Sequence, residues 1–185
     1  MRIKPILTKI NANFWKVGIL SITVLTLLIS WQQRDKNTIN IEQMGENVFL
    51  QKWTGPYGGV PAFDKMNIED LESAVIAGME LNLAEIETIA NNTEEPTFEN
   101  TIVAMEKSGK VLDRVFAYYG ILRSNMSTPV SRNIQAGLAP KLSEFNSKIS
   151  QNEKLFQRVK VVYNNSLKNP LEADQQRVVE LTYKG

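Results

Sequence analysis

The sequence predicts an all-α body. Apolar residues recur at steps of three and four through several long segments, which is the period of a helix face. Helix-start signals stand just before those segments: Asn67, Thr97 and the pair Thr128-Pro129. No stretch alternates apolar and polar at period two for long enough to form a strand. With 43% hydrophobic residues in 185, the chain can build one ordinary core and lacks the composition of a disordered protein.

The first element, residues 1–31, reads as an export signal rather than as part of that body. Arg2, Lys4, Lys9 and Lys16 lead into Val17–Trp31, fifteen residues without a charge. Including Phe14 and Trp15, with Lys16 free to snorkel, the apolar segment covers 14–31. As a helix it would span roughly 27 Å, close to the ~30 Å hydrocarbon core of a bilayer. Two readings stay open, an uncleaved signal anchor and a cleaved signal peptide. The exit through Ile29-Ser-Trp31 offers an interfacial Trp and no clear small-residue cleavage site. Either reading places the body outside the cytoplasm, periplasmic or extracytoplasmic, with the membrane as a partner through residues 14–31. Residues 32–47 form a polar linker.

Residues 48–66 form an extended aromatic arm. Gly and Pro crowd the run Trp53-Thr-Gly-Pro-Tyr-Gly-Gly-Val-Pro-Ala-Phe63, so a helix is excluded there, and Trp53, Tyr57 and Phe63 call for burial. About five helices follow. The first runs over 67–90 with the stripe Ile68, Leu71, Val75, Met79, Leu83, Ile86 and Ala90. The second runs over 97–125 with Phe98, Ile102, Met105, Leu112, Phe116, Tyr119 and Leu122. In that series Gly109 takes an apolar position, a place for close backbone packing. The third starts at Thr128-Pro129, carries Ile134, Leu138, Leu142, Phe145 and Ile149, and must kink or split at Pro140. The fourth covers about 152–163 with Leu155, Phe156, Val159 and Val162, and the fifth begins near Ala173.

Charge and missing residue types narrow the function. Residues 1–36 carry six basic residues and one acid, a net of +5, so the remainder of a chain with net +1 carries −4. A mildly acidic body does not fit a nucleic-acid binder. Without cysteine there is no disulfide and no lipid-modified cysteine; without histidine or cysteine there is no ordinary zinc site. Glu80, Glu85, Glu87, Glu94 and Glu95 read as a solvated helix face rather than a cation site, for no ligand loop accompanies them. The glycosylation-type triplets at Asn91, Asn125 and Asn164 are weak signals in an Asn-rich chain. One reading of Trp53 and Tyr57 is a peptide-binding pair, but packing of the arm across the helices is the stronger reading. No serine or lysine is singled out by a positioned base.

Several runs, in order, carry a resemblance. They are Leu50-Gln-Lys-Trp-Thr-Gly-Pro-Tyr-Gly-Gly-Val-Pro-Ala-Phe-Asp-Lys65, residues 82–92, Pro96-Thr-Phe-Glu-Asn-Thr-Ile-Val-Ala-Met-Glu106, Ser108-Gly109, and Leu112-Asp-Arg-Val115. Tyr119-Gly120, Asn125-Met-Ser-Thr-Pro129, Ala139-Pro-Lys-Leu-Ser143 and Gln151-Asn-Glu-Lys-Leu-Phe156 follow. Together they resemble the N-terminal helical region of the peptidyl-dipeptidase and oligopeptidase A branch of the thimet oligopeptidase family, over about residues 47–184. The resemblance implies a zinc metallopeptidase hydrolysing short peptides, built as two largely helical halves around a deep channel, with this region as one wall. It also implies a catalytic helix with H-E-x-x-H and a further glutamate ligand, all outside the region resembled. No catalytic, metal or substrate-binding residue carries over to this chain, and zinc is a cofactor only of the intact family protein.

The expectation is therefore an N-terminal fragment of an exported zinc metallopeptidase, 48–185 being a helical region cut before the catalytic part and inactive alone. Its partners would be a catalytic C-terminal half or short peptides. The alternatives are a stand-alone membrane-anchored helical interaction module and one part of a split peptidase.

Overall fold

The computed structural model describes residues 45–57 and 59–185. The signal or anchor segment 1–31 and residues 32–44 of the linker lie outside the described residues. Among those described, no helix is long and apolar enough to cross a membrane.

The body is all-helical, as the apolar periods require, and Thr54–Val60 is an isolated bridge rather than a strand. A single 3-10 turn, Val48–Leu50, opens the arm, capped by the Asn47 side chain, which accepts from the Phe49 N–H at 3.0 Å. A second 3-10 turn, Ile68–Asp70, is capped by Asn67 and runs straight into α1, Leu71–Ala90. A π-helical turn, Phe98–Val103, continues into the short α2, Ala104–Lys107. Four helices complete the body: α3 (Lys110–Asn125), α4 (Pro129–Ser150), α5 (Glu153–Lys168) and α6 (Ala173–Lys184).

The start signals work as their chemistry demands. Thr97 and Asn100 form a reciprocal capping box, and so do Thr128 and Ser131, with Pro129 at the first helical position. Asn152 caps α5 by accepting from the Leu155 N–H at 3.0 Å. Each cap satisfies N–H groups that have no partner within their helix.

α1 is the central helix. It packs on α3, α4 and α5 and receives the arm. Leu71, Val75 and Met79 of α1 join Leu112, Tyr118 and Leu138 in the main core. Ile86, Ile89 and Ala90 form a second cluster with Leu155 of α5, and a third joins Ile102, Val159, Val162 and Val179.

Three expectations need correction. The helix expected over 97–125 is broken at Ser108-Gly109. Gly109 has φ +74°, a left-handed conformation that L side chains adopt at a cost, and its N–H donates to Glu85 Oε2 at 2.6 Å. The break resets the helical phase, so α3 buries Val115 and Tyr118 and leaves Phe116 and Tyr119 half-buried. The close helix approach lies instead at Gly78, where an added Cβ would stand 3.2 Å from the Leu112 Cα. Of the kink or split expected at Pro140, the split does not occur, for α4 runs unbroken through it. The carbonyl deprived of its partner belongs to Ala136, which is exposed like Pro140 itself, while Leu138 and Phe145 hold the helix on its buried side. Finally, α5 continues to Lys168, five residues past the expected end, because Ser166 keeps the buried line going.

Candidate functional site

The most distinctive local structure is the aromatic arm and the tyrosine that receives it. Tyr118 of α3 is completely buried. Three rings of the arm meet it edge-on: Phe49 at 5.0 Å, Trp53 at 6.0 Å and Phe63 at 5.3 Å between centroids. Edge-on contact sets the positive rim of one ring against the negative face of the next, the favoured geometry for aromatic pairs. The Tyr118 hydroxyl accepts from the Ala62 N–H at 2.7 Å, tying down the arm's far end. Arg114, one turn before Tyr118, donates to the Leu50 carbonyl at 3.2 Å and ties down the near end.

Between those ties the chain makes a tight protruding loop. Val60 N–H donates to the Thr54 carbonyl at 3.2 Å, and Gly59 N–H to the Pro56 carbonyl at 3.1 Å. Tyr57 sits at the tip with φ +59° and is 100% exposed. This corrects the expectation that Trp53, Tyr57 and Phe63 are all buried. Trp53 faces inward, with its indole Nε1 buried and lacking a protein acceptor; Phe63 is at the margin; Tyr57 stands in water. Trp53 and Tyr57 do not act as a pair. Only Tyr57 has a free ring face and hydroxyl, which suit stacking and hydrogen bonding to a partner but supply no nucleophile or base.

The acidic residues do not converge. Among the described residues no group of three acidic side chains gathers as a metal site would need. Glu85 is used by Gly109, and Glu87 accepts from Asn91 and from Asn152. Glu80, Glu85 and Glu87 stand on α1, whereas Glu94 and Glu95, expected on the same helix face, lie in the connection after its end at Ala90.

Sequence reasoning missed Arg158. It lies on the buried face of α5 and is only 6% exposed. Its guanidinium donates to the carbonyls of Asn92 at 2.6 Å and Glu94 at 3.0 Å, to Asn100 Oδ1 at 2.9 Å and to Thr101 Oγ1 at 3.3 Å. Arg158 therefore clamps the α1-to-π-turn connection onto α5. A signal existed: Arg158 stands three residues after Leu155 and one before Val159, within the apolar line. Tyr118 was missed because the unbroken helix placed it off the stripe.

No family model matches the chain. Among curated proteins it is similar to the dipeptidyl carboxypeptidase of Escherichia coli, with 31% identity over 138 residues, which is 75% of this chain and 20% of that protein. It is also similar to the dipeptidyl carboxypeptidase of Salmonella typhimurium, with 26% identity over 141 residues, 76% of this chain and 21% of that protein. The chain spans about a fifth of the length of these curated relatives. Identity sustained along three quarters of an all-helical chain supports a partial region of the peptidyl-dipeptidase and thimet oligopeptidase family.

Proposed function

We propose that this chain is the N-terminal, channel-wall part of an exported zinc metallopeptidase of the dipeptidyl carboxypeptidase type. In this reading the zinc and the groups that activate water belong to a part of the peptidase outside these 185 residues. The observation that carries it is the similarity to two dipeptidyl carboxypeptidases along three quarters of the chain. The donor set supports the division of labour. Neither histidine nor cysteine occurs in the sequence, and the described carboxylates do not gather, so the residues present do not fit a peptidase zinc site. The body contributes shape: a rigid helical layer centred on α1, carrying the arm and Tyr57 on its surface.

The coding sequence beyond residue 185 tests this directly. The expected finding is a frame, continuous or resuming after an interruption, that encodes His-Glu-x-x-His on a helix. A separate start codon with an intact catalytic frame would mark a split peptidase, and unrelated sequence would mark a helical interaction module. The purified chain should release no dipeptides and bind no zinc stoichiometrically. Chelator-sensitive hydrolysis by clean material would contradict the reading. Export is tested by alkaline extraction and by protease added from the non-cytoplasmic side. A body digested only from the cytoplasmic side would rule it out.

A further inference from the structure

The apolar interior of the body is divided along the chain. The main cluster draws only on the arm, α1, α3, α4 and the turn before α1, with Leu71, Val75, Tyr118 and Leu138 among its buried members. The third draws only on the π-turn, α2, α5, α6 and the α5–α6 connection, through Ile102, Val159, Val162 and Val179. Those two clusters share no residue. The second and smaller cluster lies between them, where Ile86, Ile89 and Ala90 of the last turns of α1 meet Leu155 of α5 and Met105 of α2. α6 packs on α5 and on the π-turn. Inside this second piece the parts are well tied: Arg158 holds the 92–101 connection to α5, and Tyr183 of α6 stacks on Tyr163 of α5 with centroids 4.2 Å apart. The body is therefore two cores joined by a narrow apolar seam.

The chain passes between these pieces three times, and the passages lie together. It leaves α1 after Ala90, turns from α2 into α3 through Ser108-Gly109, and turns from α4 into α5 through Gln151-Asn152. Side chains at the end of α1 reach all three. Glu85 Oε2 accepts from the Gly109 N–H at 2.6 Å, Glu87 Oε1 accepts from Asn152 Nδ2 at 3.0 Å, and Asn91 Oδ1 accepts from Lys154 Nζ at 2.6 Å. Among the described residues no ion pair crosses the seam: Lys141–Glu72 and Lys148–Glu144 lie on one side, and the pairs of Glu180 with Arg177 and Lys184 on the other. Hinges are short loop or helix-end segments that absorb a change of backbone angle, and a glycine at φ +74° absorbs it at least cost. A small seam between two larger cores is also the place that opens first. We propose that α5, α6 and residues 92–107 swing as one body against the layer of the arm, α1, α3 and α4, hinged at Gly109 and Gln151-Asn152 and held closed by the seam around Ile89. This motion goes beyond the proposed function and does not depend on it.

The test is distance measurement between spin labels on the full chain. The sequence has no cysteine, so introduced pairs label cleanly. Ser143→Cys with Lys160→Cys spans the seam from α4 to α5. Arg123→Cys with Ser143→Cys stays within the first piece, and Lys160→Cys with Asp174→Cys within the second; all four positions are exposed. The expected result is a single narrow distance for each pair within a piece, and a second, longer distance for the pair across the seam. Ile89→Ala should raise the share of that longer distance about tenfold or more, because deleting a buried branched side chain at the seam weakens the closed form by at least that factor. Ile89→Val, a smaller deletion that keeps the fold, should raise it less. Hydrogen exchange in the Ile89 variants separates swinging from melting. The amides within α5 and α6 should stay protected, for the helices remain intact while the piece moves. A seam-spanning distance as narrow as the other two, and unmoved in both Ile89 variants, overturns the hinge. So does a longer distance that appears only as α5 and α6 lose their protection, for the second piece would then unfold rather than swing.

Discussion

Replacing Tyr118 tests whether the arm is held by the helices in the way the geometry implies. Tyr118→Phe keeps the three edge-on ring contacts and removes only the hydroxyl that accepts from Ala62. A partly buried N–H left without its acceptor costs about 1–2 kcal/mol. Tyr118→Ala also removes a fully buried ring and opens a cavity between α3 and the arm, a loss of about 3–5 kcal/mol. Against a typical total of about 5–15 kcal/mol, the second change is large. Urea unfolding of the full chain measures both, as a lower midpoint with little change in slope for the Phe variant. Hydrogen exchange locates the effect. The Ala62 amide should exchange roughly tenfold faster in Tyr118→Phe, equivalent to about 1.4 kcal/mol, while amides of α5 stay as they were. An unchanged midpoint and unchanged Ala62 protection would refute the hydrogen bond. An Ala variant within about 1 kcal/mol of wild type would refute the docked arm altogether, since no rearrangement replaces a buried ring at so small a cost.

Other residues give sharper local tests. Arg158→Ala should destabilise by about 3 kcal/mol or more, because two backbone carbonyls lose charge-assisted donors in a buried place, and exchange should rise across residues 92–103. Arg158→Lys should recover only part of that, a point charge being unable to span four acceptors. Gly109→Ala should cost about 1–2 kcal/mol from the left-handed backbone alone, and more because its Cβ would sit 3.1 Å from Asn82 Nδ2. An unaffected urea midpoint would show that the 98–125 segment can run as one helix. Stability should be flat between about pH 6 and about pH 9, since the chain has no histidine or cysteine to titrate there. Hydrogen bonds from Lys148 and Lys184 hold the Glu144 and Glu180 carboxyls below the ordinary 4.5, so their small contributions are present above that value and fade as pH falls through the lowered one. The hydrogen bond with Glu180 raises Lys184 above 10.5, so its contribution fades only as pH climbs past that point. A sigmoidal change of the unfolding midpoint through pH 7 would contradict this.

The all-α class, the helix starts and most of the α1 and α4 faces were legible in the sequence. Caps and apolar periods are local: an Asn, Ser or Thr side chain reaches N–H groups two or three residues on, wherever the helix later packs. The family resemblance was legible for a similar reason, as motifs in order need no coordinates. The lack of histidine and cysteine ligands in this chain is a matter of composition, because no fold supplies a residue that the sequence lacks.

What tertiary structure decided is how these local pieces meet. Gly109 reads from sequence as a missing stripe residue. Only the packing of α1 beside it, with Glu85 accepting its N–H, makes it a left-handed break that rotates α3 and brings Tyr118 to the centre. The division of the arm into an inward Trp53 and an outward Tyr57 depends on where α3 presents that tyrosine, 61 residues after Tyr57 in the chain. Arg158 stands in the apolar line of α5, but its four neutral acceptors exist only once the 92–101 connection folds over it. Hydrogen bonds and ring contacts between residues so distant in sequence leave no period or spacing to read. Their energies exist only once the backbone has brought the groups together, so the chain determines its helices residue by residue, and the assembled layer decides which side chains become core, clamp or exposed surface.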